Sequence, residues 1–189
     1  MRSAPSNSDD VIDNRDVIKR IEELDSERQD LIDAVEAAVE ALNDARQARA
    51  AAMADADGDR ESAERADEAA YDAEVALKDA KAALLEWTGN LDDVAGVEVI
   101  EPSDEARELA ELESLQEQCD GYFSDWTRGA TLIADSYFEE YARELASDIG
   151  AIQRDVGWPC DCIDWAQAAG ELKMDYTEVD FGGVSYQIR

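Results

Sequence analysis

Positions 17, 21, 24, 28, 31, 35, 38, 42 and 45 read Val, Ile, Leu, Arg, Leu, Val, Ala, Leu and Ala, with only Arg28 interrupting an apolar seam. A second seam runs through Ala63, Ala66, Ala70, Ala73, Leu77, Ala80, Leu84, Trp87 and Leu91. Alternating steps of four and three, without an internal proline, are the period of a helix that lays one stripe against a partner helix. Between the seams lies Asp55-Ala56-Asp57-Gly58-Asp59, the one strong turn signal of the region. The economical arrangement is an antiparallel helical hairpin over residues 15–92, large side chains of the first arm facing alanines of the second. Residues 1–14 read as a disordered lead-in.

The rest of the chain has a different texture. Residues 93–102 form a linker, with Gly96–Ile100 as a possible short strand and Pro102 ending it. Ser103 offers an N-cap to a helix reaching about Cys119, with Asp104 and Glu105 in the first turn, where acids complement the helix dipole. From Asp120 onward aromatics concentrate, among them Trp126, Tyr137, Phe138, Tyr141, Trp165, Tyr176, Phe181 and Tyr186. Each carries a large apolar area, so the core is expected in 120–189. The spacing predicts a helix over Thr131–Ile149 closed by Gly150, and another over Asp161–Leu172. Two period-2 runs, Tyr176–Phe181 and Val184–Ile188, flank Gly182-Gly183, a strong hairpin signal. The fold class is therefore mostly α with a small α+β part: an N-terminal helical hairpin, then an acidic α+β domain over 103–189 ending in a β-hairpin.

Charge sets the functional question. The chain holds 48 Asp/Glu against 17 Lys/Arg and no histidine, a formal net charge of −31. Residues 1–100 carry 27 acids and 11 bases and residues 101–189 carry 21 and 6, so the excess is spread along the chain and is not a tail. Such a field repels nucleic acid and attracts the Lys/Arg-lined grooves that hold it. The acids also fall in rows. Glu140, Glu144 and Asp148 are four apart, as are Asp135 and Glu139. Asp33, Glu36, Glu40 and Asp44 line one arm, and Glu64, Glu68 and Asp72 the other. Side chains four apart on a helix stand about 5–6 Å from each other, a spacing that approximates a phosphate ladder.

Several chemistries lack their residues. Asp55-Ala-Asp57-Gly-Asp59 puts glycine fourth and Ala66 twelfth, where a calcium-binding EF-hand loop needs glycine sixth and glutamate twelfth. Cys160 and Cys162, with a distant Cys119 and no histidine, do not form the paired ligand spacing of zinc, and are expected to pack as small apolar groups. There is no Gly-rich phosphate loop, nucleophile motif or basic cluster. No cofactor, no metal and no enzymatic activity are expected. No apolar run reaches the length of a membrane span and the N-terminus lacks a signal-peptide core, so a cytoplasmic, reduced location is expected.

The last seventy or so residues carry Tyr122-Phe123-Ser124-Asp125-Trp126, Tyr137-Phe138-Glu139-Glu140-Tyr141-Ala142-Arg143-Glu144-Leu145, Ile163-Asp164-Trp165, Ala169-Gly170-Glu171-Leu172, Asp175-Tyr176 and Gly183-Val184-Ser185-Tyr186. This order resembles the C-terminal part of ArdA-type antirestriction proteins of phages and plasmids. Gly170 stands where that family usually has Arg, and the first 118 residues do not resemble its N-terminal portion. The family comprises elongated acidic dimers that mimic bent DNA and occupy the DNA groove of type I restriction–modification enzymes. The resemblance implies that Glu139, Glu140, Glu144, Asp164, Glu171 and Asp175 imitate phosphates. The expected partner is then a DNA-binding defence enzyme, with no direct contact to nucleic acid or membrane, and with the hairpin extending the charged surface or joining two copies as a homodimer. Two alternatives stay open: the same mimicry aimed at a CRISPR effector, and a structural or adaptor coiled-coil protein of a salt-adapted organism whose acidity is background.

Overall fold

The computed structural model describes residues 4–54, 60–89, 100–120, 126, 129–152, 157 and 160–189. Two compact units partition the chain, one made of Met1–Glu22 with Leu109–Arg189, the other of Glu23–Glu108. The divisions fall inside helices α1 (Asn14–Ala54) and α3 (Asp104–Asp120), not at the linker expected over 93–102. No glycine or proline marks either crossing, because the chain passes between units within continuous helix.

The unit Glu23–Glu108 holds most of α1 and all of α2 (Arg60–Thr88). From Leu24 to Ala45 every seam position of α1 is buried or half-buried, Arg28 included. In α2 the residues withdrawn from solvent are the seam residues 63, 66, 70, 73, 77, 80, 84 and 87, and every other position is exposed. The helices run antiparallel: Arg46 pairs with Glu74 at 2.8 Å and Arg49 with Asp67 at 2.5 Å, so rising numbers on one arm meet falling numbers on the other. The turn at 55–59 and the seam's last position, Leu91, lie outside the described residues, as does the strand expected at 96–100 except for Ile100. α2 ends where Gly89 takes φ +71, a left-handed conformation natural only to glycine. The Ser103 amide donates to the Trp87 carbonyl (3.1 Å), and Ser103 Oγ accepts from the Ala106 amide (3.1 Å), the N-cap expected for α3.

The other unit is built on a four-stranded antiparallel sheet of order β1-β2-β4-β3, with β1 Val11–Asp13, β2 Thr131–Ala134, β3 Thr177–Phe181 and β4 Val184–Ile188. Two expectations are corrected here. The lead-in 1–14 is not disordered throughout, because Val11–Asp13 pairs with β2 (Val11 with Ile133, Asp13 with Thr131) and buries Ile12. The helix expected over Thr131–Ile149 starts only at Phe138: Thr131–Ala134 is the inner strand β2, bonded on both sides, and 135–137 turn into α4 (Phe138–Asp148). A short apolar run suits a doubly buried strand as well as a helix, and pairing with β1 and β4 decides it. The Gly182-Gly183 hairpin forms as expected, with φ +56 and +80 as a two-residue hairpin loop of the primed type requires.

One face of the sheet carries Ile12, Leu132, Ala134, Val179, Phe181, Tyr186 and Ile188, all buried. Leu109, Leu112, Leu115 and Cys119 form the buried stripe of α3. Val17 and Ile12 are buried as well, so the core draws on both ends of the chain and not on 120–189 alone. On the other face Ile133 packs with Phe138 and Ala142 of α4 and Ala169 of α5 (Trp165–Lys173), with Tyr137, Tyr141, Leu172 and Tyr176 around them. A short 3₁₀ turn, Cys160–Cys162, precedes α5. Cys162 is exposed and Cys160 half-buried, so this pair does not pack into the core as expected, and only Cys119 does.

Candidate functional site

Helices α4 and α5 pack antiparallel on the sheet. Lys173 at the end of α5 pairs with Asp135 just before α4, and Arg143 in α4 lies over the Trp165 ring at the start of α5, 5.4 Å from its centroid. Beneath them Phe138, Tyr141 and Tyr176 form an aromatic knot, with Phe138 edge-on to Tyr176 at 5.1 Å and the two tyrosine hydroxyls 3.0 Å apart. Burial, then the hydrogen bond shared with Tyr141, pushes the Tyr176 hydroxyl up to about 12, so it stays protonated at neutral pH.

All eight singled-out carboxylates, Asp135, Glu139, Glu140, Glu144, Asp148, Asp164, Glu171 and Asp175, are exposed on or beside this helical pair. They are not equivalent. Glu140, Glu144 and Asp148 keep the expected row on α4, rising about 6 Å per step. Asp135 does not belong to it: it lies in the turn before the helix, so its pairing with Glu139 at helical spacing is lost. There it accepts from Lys173 and from Gln187 Nε2 (3.1 Å), and the Lys173 hydrogen bond holds its carboxyl below the ordinary carboxylate range. Glu139 and Glu140 share Arg143, at 3.5 and 2.6 Å. Glu144 accepts from Tyr137 Oη at 3.0 Å, which raises the phenol's pKa above its usual value.

On the α5 side Asp164 is the N-cap, its carboxylate accepting from the Gln167 amide at 3.0 Å, and Glu171 accepts from Gln167 Nε2 at 3.0 Å. Asp175 follows the helix C-terminus. The counter-groups Arg143, Lys173 and Tyr137 were not singled out in the sequence. The spacing of Arg143 from Glu139 and Glu140 made that pair legible, whereas Lys173 meets Asp135 only through the antiparallel packing.

The hairpin rows are equally open. Asp33, Glu36, Glu40 and Asp44 on α1 and Glu64, Glu68 and Asp72 on α2 are all exposed. Asp33 accepts from Gln29 and Glu64 from Arg60, both at 2.8 Å. Residues 23–54 carry eight acids and three bases, and 60–88 carry eight and four. With 1.5 Å rise per residue the longer arm is about 48 Å, so the hairpin presents about one net charge per 5 Å. Duplex DNA carries one per about 1.7 Å. The hairpin thus carries roughly a third of the duplex charge density.

Among the described residues no group of His, Cys, Asp and Glu is placed to hold a metal ion, and no helix is long and apolar enough to cross a membrane. Searches of protein-family models, curated proteins and solved structures each find no match to this chain.

Proposed function

We propose that this protein is an anti-defence inhibitor that imitates DNA with rows of carboxylates and occupies the DNA-binding groove of a type I restriction–modification enzyme in the host cytoplasm. The observation that carries the reading is the exposed row Glu140, Glu144 and Asp148 on a helix packed against a sheet; the hairpin carries exposed acidic rows of its own. The resemblance of residues 120–189 to the antirestriction family points the same way. The mechanism is competitive occupancy without chemistry. Carboxylates stand where phosphates would meet Lys and Arg, and the long-range field speeds encounter. Glu139, Glu140, Glu144, Asp164, Glu171 and Asp175 are the phosphate substitutes. Asp135, neutralised by Lys173, contributes to the fold of the site more than to its field.

A CRISPR effector is the rival target, since its nucleic-acid channel is also cationic. The long hairpin seam, broken only by Arg28, favours a second reading, in which the coiled coil docks or joins partners and the acidity is background. Purified protein added to a type I restriction–modification enzyme holding labelled duplex tests the proposal. Displacement at ~150 mM salt, where screening acts beyond about 8 Å, that fades as salt rises supports it. Displacement only from a CRISPR effector moves the target, and displacement from neither leaves the docking reading.

A further inference from the structure

The two outer strands of the sheet are finished differently. At β3 the side-chain amide of Gln118 closes the edge: its Nε2 donates to the Asp180 carbonyl (3.0 Å) and its Oε1 accepts from the Asp180 amide (2.9 Å). That is the pairing a further strand would make, so β3 is capped from α3. At β1 the Ala134 amide donates to the Asp10 carbonyl (2.8 Å) and the Asn14 amide to the Ala130 carbonyl (3.1 Å), so residues 10, 12 and 14 face β2. In an antiparallel ladder the alternate peptide groups then face outward. The Val11 amide and carbonyl point away from β2, and among the described residues no strand lies beyond them. Val11 is 48% exposed although it is a β-branched residue of a sheet. A cleft of about 420 Å³ runs along this edge, lined by Asp9, Val11, Asp13, Asp16 and Thr131 among others.

We propose that β1 is a docking edge for an extended, basic segment of a partner protein, added as a fifth strand. An open edge supplies main-chain hydrogen bonds to any extended peptide, and the lining selects among them. Residues 9–16 hold Asp9, Asp10, Asp13 and Asp16 against one cation, Arg15, which is already bound to Asp13 at 2.5 Å. Side chains two apart on a strand share a face, so an incoming strand with a Lys or Arg and an apolar residue two positions apart sets the cation against Asp9 and the apolar residue against Val11. A second copy of this chain is the poor occupant, because a two-fold pairing of β1 with itself would bring the same aspartates face to face. The edge and its cleft stand independently of whether the carboxylate rows imitate phosphates.

The test uses the full-length protein and a fluorescent, end-blocked peptide of repeating Lys-Thr-Val-Thr, which puts Lys and Val two apart on one face. Expected are saturable binding, slowed amide exchange at Val11, and about tenfold or greater weakening by Val11→Pro, the size of one net hydrogen bond. Val11→Pro removes an outward N–H and no bond of the ladder, and proline is tolerated on edge strands. Should that variant misfold, the peptide N-methylated at alternate residues against wild-type protein asks the same question: it keeps the charge and loses the strand donors. Equal binding by the N-methylated peptide would show charge alone and overturn the proposal, as would absence of binding. A concentration-dependent homodimer, seen by sedimentation and blocked by the same unmethylated peptide, would overturn the choice of occupant.

Discussion

Asn14 is fully buried at the start of α1, and its side chain ties the sheet to the segment that leads into β2. Its Nδ2 donates to the Trp126 carbonyl, and its Oδ1 accepts from the Ala130 amide at 3.0 Å. Asn14→Ala removes both bonds and strands a buried carbonyl beside a half-buried amide. Each orphaned group costs about 1–3 kcal/mol, and the relief of no longer burying an amide side chain offsets part of it, so a net loss of about 2–4 kcal/mol is expected. Asn14→Asp is the sharper probe. It keeps the acceptor for the Ala130 amide but turns a carboxylate toward the Trp126 carbonyl, so it should lose at least as much as alanine at neutral pH. Protonation restores a donor, so it should recover part of the loss as the pH falls toward 4. The assay is urea unfolding followed by tryptophan fluorescence, with the slope checked for constancy so that the midpoint reports stability. A loss under about 0.5 kcal/mol for alanine, the usual range of a surface change, would refute the reasoning. So would alanine and aspartate variants that behave alike at every pH.

Thiol labelling should modify Cys160 and Cys162 quickly and Cys119 only on unfolding, because Cys119 is wholly buried and burial pushes its thiol up to about 12; early labelling of Cys119, counted by mass spectrometry, would contradict the core. That raised pKa gives stability present below the unfolded value of 9.0 and lost as pH climbs toward 12, at about 1.4 kcal/mol per unit, and Cys119→Ser should flatten the slope in alkaline urea titrations. At Gly89 a Cβ would stand 2.6 Å from the Pro102 nitrogen with φ at +71, so Gly89→Ala should cost more than the ~1–2 kcal/mol of a left-handed alanine alone, read from thermal melts. Arg49→Ala should cost under about 1 kcal/mol, because the Arg49–Asp67 pair is half exposed on both sides, and a double-mutant cycle with Asp67→Ala measures it.

The hairpin was legible because its seams obey one period, and in α2 burial follows that period residue for residue. Gly182-Gly183 was legible because few residues other than glycine occupy two successive left-handed positions. β1 and β2 were not. Val11–Asp13 is three residues long and becomes a strand only by pairing with residues 131–133, far off in sequence. Leu132 and Ile133 fit the helical stripe of Tyr137, Tyr141 and Leu145 until the turn at 135–137 breaks it. That turn moved Asp135 from the α4 row to Lys173. Local pattern named which carboxylates are exposed, and the antiparallel packing of α4 and α5 decided which of them a cation neutralises.

If the carboxylates stand in for phosphates, inhibition must be competitive with DNA. The measurement is cleavage by a type I restriction–modification enzyme at several duplex concentrations, against wild-type protein and against the triple variant Glu140→Gln, Glu144→Gln, Asp148→Asn. The half-inhibitory concentration of wild type should rise in proportion to duplex. The triple variant should fold nearly as well as wild type, since relieving like charges on the helix offsets the weakened, exposed Glu140–Arg143 pair, each worth a few tenths of a kcal/mol, and it should inhibit at least tenfold more weakly. Inhibition independent of duplex concentration, or a triple variant as potent as wild type, would contradict mimicry by this row.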